Sequence, residues 1–135
     1  MKKIIIIDDD RISLDNFELA IEIDLPTFEV KTFHYPEQFK EEDINDVSLI
    51  ILDIMFAGDG EFLGGYDLGL KFYRKFKEKN PTIPVIIFTN KAKSIVGEKE
   101  IKIIEDNGDL FFDKSTASLN SFLESIRKII GLDHP

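Results

Sequence analysis

The sequence predicts an α/β fold, a doubly wound parallel sheet with helices on both faces. Short apolar runs alternate along the chain with stretches whose apolar residues repeat at helical spacing. Most of the runs are too continuous to be half-exposed antiparallel strands, so they indicate buried parallel strands. Parallel strands are connected by right-handed crossovers, which place helices on both faces of the sheet.

Five strands and five helices follow from these patterns. The predicted strands are Ile4–Ile7, Phe28–Phe33, Val47–Leu52, Val85–Phe88 and Leu110–Phe112. Stripes of apolar or small residues at helical spacing predict three of the helices. The first helix has Leu14, Phe17 and Ile21, and the third has Gly65, Leu68, Gly69, Phe72 and Phe76. The fifth has Leu119, Phe122, Leu123, Ile126 and Ile130. The second helix is predicted over Pro36–Glu42 and the fourth over Ser94–Asn107, with Ile101 and Ile104 as its paired face. Ser115 or Thr116 is the expected cap of the fifth helix.

Length and charge restrict the classes of function. The 135 residues suffice for one domain, which we expect to span 1–135. With 17 basic against 26 acidic residues, the net charge of −9 repels nucleic-acid backbones and anionic lipids, so neither is an expected partner. No apolar run approaches a membrane span or a signal peptide, so a cytoplasmic protein is expected. The basic residues of the third helix predict a solvated face, with a docking surface as the less favoured alternative: Lys71, Arg74, Lys75, Lys77 and Lys79.

Four polar signals stand at the carboxyl ends of predicted strands. The run Asp8–Asp10 follows the first strand, and Asp53 follows the third. Thr89 follows the fourth, and Lys114 lies just past the fifth. In a doubly wound sheet the first, third and fourth strands lie side by side, and ligands bind beyond their carboxyl ends. We therefore expect these side chains to converge in one crevice.

Carboxylates forced together in such a crevice imply a shared cation, because they otherwise repel each other and raise each other's pKa. Mg²⁺ suits best, since it takes one or two direct carboxylates together with waters and phosphate oxygens. With that ion in place, the carboxylate of Asp53 could attack phosphorus. Thr89 and Lys114 would then help to neutralise the charge on the transferring group.

Four segments resemble the signature segments of response-regulator receiver domains, in order and across nearly the whole chain: IIIIDDD, LIILDIM, PVIIFTN and FFDK. The resemblance implies the flavodoxin-like strand order 2-1-3-4-5. It also implies a role for each site residue. The implied set is Asp8 and Asp9 as the acidic, metal-binding pair, Asp53 as phosphoacceptor and metal ligand, Met55 as metal ligand through its carbonyl, Thr89 as the switch hydroxyl and Lys114 as the site lysine.

The same resemblance implies a signalling module whose only intrinsic activities are self-phosphorylation and dephosphorylation. A sensor histidine kinase or a phosphotransfer protein would supply the phosphoryl group, and a downstream effector protein would read the result. Thr89 and Phe111, three residues before Lys114, would shift the surface around the fourth helix and fifth strand. A homodimer through the fourth-helix to fifth-helix face is a further option that the resemblance leaves open.

Three positions differ from the receiver pattern. The loop at 56–65 is longer than usual, acidic and rich in glycine, so we expect a lid or a partner-specific contact there. Asn90 stands where the family prefers a small residue, which predicts a narrower approach to Asp53. Ser115 follows Lys114 in place of the usual proline, so no cis peptide bond is expected to fix that lysine.

Two other hypotheses stay open. One is a receiver-like interaction module that is never phosphorylated, which the three departures would suit. The other is a Mg²⁺ phosphatase of the haloacid dehalogenase-like superfamily, with Asp8 as nucleophile, Asp10 as acid/base, and Asp109 with Asp113 as the metal pair. That alternative leaves Asp53 without a role.

Overall fold

The computed structural model describes residues 2–8, 11–54, 67–90, 96–116 and 118–131. The strands are β1 Lys3–Ile7, β2 Glu29–Phe33, β3 Val47–Leu52, β4 Val85–Thr89 and β5 Leu110–Asp113. The helices are α1 Arg11–Asp24, α2 Asp67–Lys79, α3 Glu98–Asp106 and α4 Leu119–Ile129, with 3₁₀ turns at Pro36–Gln38 and Glu41–Ile44. Within these ranges, no helix is both long enough and apolar enough to span a bilayer.

The five strands form one parallel sheet in the order β2-β1-β3-β4-β5, which confirms the predicted topology. The three central strands are almost wholly buried, as their continuous apolar runs predict. The edge strand β2 is only partly buried, because it pairs on one side alone.

Alternate residues along each strand face opposite layers of helices. Ile4 and Ile6 pack in a core with α1 and α4, which includes the fully buried Phe122. Ile5 and Ile7 pack in a second core with α2 and α3. The sheet is thus covered on both faces, and its carboxyl edge is left for polar groups.

The predicted helix over Pro36–Glu42 is wrong, because the chain forms two separate 3₁₀ turns there. The Gln38 side chain accepts bonds from the two backbone N–H groups that precede the first turn, at 2.7 and 3.1 Å. Asp43 likewise accepts from the N–H of Lys40 at 2.8 Å. Each turn is therefore closed by its own side chain, which competes with a continuous helix. Between the turns, Phe39 and Lys40 are extended, with ψ of 118° and 167°.

The buried face of α2 differs from the predicted stripe. Leu68 is 45% exposed and Phe72 is half-buried, whereas Leu70 and Tyr73 are buried. The close approach of Gly69 to the chain after β3 sets this rotation. A Cβ at position 69 would lie 2.2 Å from the Cα of Ile54, so only glycine fits.

Lys77 is not solvated as predicted, since it lies in a buried polar cluster at the amino edge of the sheet. Its Nζ lies 3.3 Å from one carboxylate oxygen of Asp109 and 3.2 Å from the other. That carboxylate also accepts the Tyr73 hydroxyl at 2.7 Å and the N–H of Val85 at 2.9 Å. Burial raises the pKa of the Tyr73 phenol, and Asp109 raises it further, although a hydrogen bond from Asn107 lowers it. The cluster ties α2 to β4 and to the start of β5.

The last helix is capped by Ser118 and not by the predicted Ser115 or Thr116. The hydroxyl of Ser118 accepts the backbone N–H of Ser121 at 3.1 Å. Ser115 instead forms a turn with Asp113 directly after β5. Because Ser115 is bonded to Asp113, the helix is capped by Ser118, three residues later.

Candidate functional site

Two aspartates stand at the carboxyl edge of the sheet because each continues the ladder one residue beyond its strand. The N–H of Asp8 donates to the carbonyl of Phe33 at 3.0 Å, and the N–H of Asp53 donates to that of Ile7 at 2.9 Å. Backbone bonding therefore fixes both side chains at this edge. Both residues are buried, with exposed fractions of 4% and 5%.

Lys114 joins these two carboxylates. Its Nζ lies 2.6 Å from Oδ2 of Asp8 and 3.1 Å from Oδ2 of Asp53. All three side chains are at most 6% exposed. The same nitrogen lies 5.5 Å from the ring centroid of Phe88, whose face adds a favourable cation–π contact that sequence patterns did not single out.

The electrostatics of Lys114 reflect two opposing effects. Burial lowers the pKa of its ammonium, but the nearby charges of Asp53 and Asp8 raise it, and the net shift is upward. The lysine therefore stays charged at neutral pH. When both carboxylates are ionised, the three groups together carry one net negative charge, which a further cation would neutralise.

A pH-dependent contribution to stability follows from the raised pKa of Lys114. A raised lysine pKa contributes stability fully below its ordinary value of 10.5, and this contribution is lost as pH rises through the folded-state value. We expect Lys114→Met to lower the free energy of unfolding by about 1–3 kcal/mol at neutral pH, because it removes the ammonium that bonds both buried carboxylates. Urea denaturation from pH of about 8 to about 11.5 should show the difference from wild type shrinking at the alkaline end. The exposed Lys99→Met is the control, and a difference that grows with pH would contradict the account.

The backbone around Lys114 is held by a turn and not by a proline. The N–H of Lys114 donates to the carbonyl of Thr89 at 2.7 Å, which continues the ladder between β4 and β5. The carboxylate of Asp113 accepts both the hydroxyl and the N–H of Ser115, at 2.6 and 2.9 Å. These bonds lower the pKa of Asp113, the hydroxyl having the larger effect. The Asp-x-Ser spacing in the sequence is the signal for this turn.

Thr89 and Phe111 are buried on the neighbouring strands β4 and β5. Thr89 ends β4 and is fully buried, and Asn90 beside it is exposed. Phe111 is 9% exposed and packs in the core with α2 and α3. Ile87 is its ladder partner on β4, two residues before Thr89. The structure thus places Phe111 on the α3 side of the sheet.

Several predicted site residues lie outside the described part of the chain. These are Asp9, Asp10, Met55 and the loop at 56–65. Within the described ranges, no group of three or more His, Cys, Asp or Glu side chains could hold a metal ion. Asp8 and Asp53 nevertheless fit Mg²⁺, because both are buried, hard oxygen donors that lie close enough together to bond the same ammonium.

The geometry counts against a phosphatase with Asp109 and Asp113 as its metal pair. Asp109 directly precedes β5 and Asp113 is its last residue, so they stand at opposite edges of the sheet. At about 3.3 Å per residue they are about 13 Å apart. The Asp109 carboxylate is also fully engaged with Lys77, Tyr73 and backbone.

Comparison with known proteins identifies the fold. No protein-family model matches the chain, and no curated protein sequence matches it. Among solved structures, the receiver domain protein of Methanospirillum hungatei JF-1, described as CheY-like, has a TM-score of 0.74 at 20% identity over 97% of this chain and 94% of that one. The non-phosphorylated HemR receiver domain of Leptospira biflexa has a TM-score of 0.73 at 19% identity over 100% and 98%. The response regulator TrrA of Thermotoga maritima, solved in complex with Mg²⁺ and BeF, has a TM-score of 0.67 at 21% identity over 96% and 99%. The chain therefore has the fold of response-regulator receiver domains.

Proposed function

We propose that residues 1–135 form one receiver domain that accepts a phosphoryl group on Asp53 in a Mg²⁺-dependent reaction. The observation that carries the proposal is the ammonium of Lys114, which joins Asp8 and Asp53 at the carboxyl edge of a receiver-like sheet. Thr89 ends the adjacent strand. The TrrA structure, with Mg²⁺ and BeF bound, supports the same chemistry by similarity of fold.

In the proposed reaction a carboxylate oxygen of Asp53 attacks the phosphorus of a phosphohistidine. A phosphorus–oxygen bond forms as the phosphorus–nitrogen bond breaks. The electron pair of the broken bond stays on the nitrogen, and the imidazole leaves neutral because its other ring nitrogen already carries a proton. Lys114, already 3.1 Å from Asp53, offers its charge to the transferring oxygens. The bound Mg²⁺ would add further charge neutralisation, with Asp8 and Asp53 among its ligands and Asp9 and the Met55 carbonyl completing the proposed set.

In this proposal the phosphorylated protein is a signalling state, and it is not an intermediate in the conversion of a substrate. We infer that the Thr89 hydroxyl moves toward the phosphorylated Asp53, and that Phe111 repacks with it. Because Phe111 has no hydroxyl, its two states would differ in packing alone. The surface affected is the one around α3 and β5, where an effector protein or a second copy of the chain would bind. The donor would be a sensor histidine kinase or phosphotransfer protein in the cytoplasm.

NMR titration with beryllofluoride and Mg²⁺ tests this function. We expect backbone shifts centred on Asp53, Thr89 and Phe111 in wild type. Those shifts should vanish in Asp53→Asn. In Asp8→Asn, which removes a metal ligand, the apparent affinity for beryllofluoride should fall at least about tenfold. Asp46→Asn is the matched control, because Asp46 is exposed and its φ of 63° suits asparagine equally well.

Two outcomes would contradict the proposal. A response that requires Asp8 and ignores Asp53 would indicate phosphatase chemistry. The absence of any response, with a folded spectrum, would indicate an interaction module that is never phosphorylated.

A further inference from the structure

A groove runs between α2 and the two 3₁₀ turns, and the proposed phosphoryl chemistry does not use it. Its volume is about 700 Å³, which is within the usual range for ligand pockets. The floor is apolar and includes Phe39, Ile44, Leu68, Phe72 and Phe76. We call it the α2 groove.

The α2 groove stays open because of how the chain folds around it. No residue of either 3₁₀ turn is buried, and the space between these turns and α2 remains open. The extended backbone at Phe39 lets its ring meet those of Phe72 and Phe76, at centroid distances of 6.1 and 6.2 Å. Leu68 remains 45% exposed at the groove. Apolar surface of this kind in a concave site favours an apolar side chain from a ligand.

The rim on the α2 side is positively charged in a protein of net charge −9. Lys71, Lys75 and Lys79 line the groove at four-residue intervals, so they share one helical face. Lys71 and Lys75 are exposed and pair with none of the described acidic residues. Lys79 lies 3.7 Å from Glu41 on the opposite rim, which also holds Glu37 and Lys40. As far as the described residues show, the positive charge of the rim that forms no ion pair is therefore mainly on α2.

We propose that the α2 groove docks an acidic peptide segment of a partner protein, with a leucine or aromatic side chain as its anchor. The anchor would enter the apolar floor near Phe72, and flanking carboxylates would pair with Lys71 and Lys75. Charge complementarity selects this occupant, because a basic or neutral segment would gain nothing from the lysine rim. A nucleic acid is disfavoured by the overall negative charge and by Glu37 at the rim.

Binding of a synthetic probe peptide tests this proposal directly. The probe is a short fluorescent peptide with Leu-Phe flanked on both sides by glutamates, measured by anisotropy and by NMR shifts. We expect a Kd below about 1 mM that rises when salt is added. The NMR shifts should lie at Phe39, Ile44 and Phe72. The control peptides replace the glutamates by lysines, or Leu-Phe by Ser-Ser, and both should lose binding.

Paired variants separate the groove from general electrostatics. Lys71→Glu with Lys75→Glu should raise the Kd at least about tenfold. Lys31→Glu with Lys99→Glu makes the same change in net charge at exposed sites that do not line the groove, and should leave the Kd within about twofold. Leu68→Gln tests the apolar floor of the groove. Leu68 is already 45% exposed, so a polar side chain there should leave the fold intact.

Each contrary result would overturn the proposal. These results are no binding at about 1 mM probe, equal binding of the lysine peptide, equal loss in the two double variants, or shifts centred outside the groove. The test does not require phosphorylation, so its outcome is independent of the beryllofluoride titration.

Discussion

Replacing Asp109 with alanine is expected to lower the free energy of unfolding by about 3–5 kcal/mol, because it leaves the buried ammonium of Lys77 without its counter-charge. The substitution also removes the acceptor of the Tyr73 hydroxyl and of the Val85 N–H. The carbonyl of Ile83, 2.9 Å from the Lys77 Nζ, would remain as a weaker partner. Urea denaturation at neutral pH measures the loss.

A double-substitution cycle isolates the ion pair from the rest of the cluster. Lys77→Met in the Asp109→Ala background should recover part of the stability, since a methionine needs no counter-charge. Asp109→Asn, which keeps an acceptor, should cost less than Asp109→Ala. A loss below about 1 kcal/mol for Asp109→Ala would contradict the role assigned to this cluster.

Gly69→Ala is expected to destabilise the fold by at least about 3 kcal/mol, against the normal preference of a helix for alanine over glycine. The added Cβ would stand 2.2 Å from the Cα and 2.8 Å from the carbonyl carbon of Ile54, and backbone atoms cannot rotate away. Either α2 or the segment that carries Asp53 must move. Thermal or urea denaturation measures the stability, and the beryllofluoride response reports the displacement of Asp53.

Gly131→Ala provides the contrast for this prediction. Gly131 has a φ of 82°, and a Cβ there would meet nothing within 4 Å. Its alanine variant should therefore cost only the left-handed strain, about 1–2 kcal/mol. Equal losses in the two variants would mean that the collision with Ile54 does not govern the effect.

The sheet could be predicted from the sequence because a strand that is buried on both faces is encoded by a continuous apolar run. The runs at Ile4–Ile7 and Val47–Leu52 match β1 and β3 within one residue, and the strand order is the one that the resemblance to receiver domains implies. The carboxyl-edge positions of Asp8 and Asp53 follow from the same strand ends. Ile101 and Ile104 also form the buried face of α3, as their spacing predicts.

The errors arose where side chains bond to nearby backbone or to distant residues. Gln38 and Asp43 accept backbone hydrogen bonds within their own short turns, and these bonds compete with a continuous helix. The spacing of apolar residues carries no information about such bonds. The burial of Lys77 depends on Asp109, which lies 32 residues away in sequence. Tyr73, four residues earlier on the same helical face, is buried as well, but the apolar stripe predicted from the sequence does not include it.

The departure at Ser115 illustrates how a local substitution can be compensated. Without a proline after Lys114, the sequence predicts no cis peptide bond that would fix this lysine. The Asp113–Ser115 turn and the bond to the Thr89 carbonyl instead fix the backbone on both sides of it. The ammonium reaches Asp8 and Asp53 from this position.

Stoichiometric phosphorylation of Asp53 is the measurement that decides whether this chain is a working receiver. The full chain is incubated with phosphoramidate, with and without Mg²⁺, long enough to allow for slow uptake past Asn90, and intact-mass and peptide mass spectrometry follow. We predict one phosphoryl group per chain, located on Asp53, absent without Mg²⁺ and absent in Asp53→Asn but retained in Asp46→Asn. A folded protein that stays unmodified, or one that carries the group on Asp8, would contradict the account.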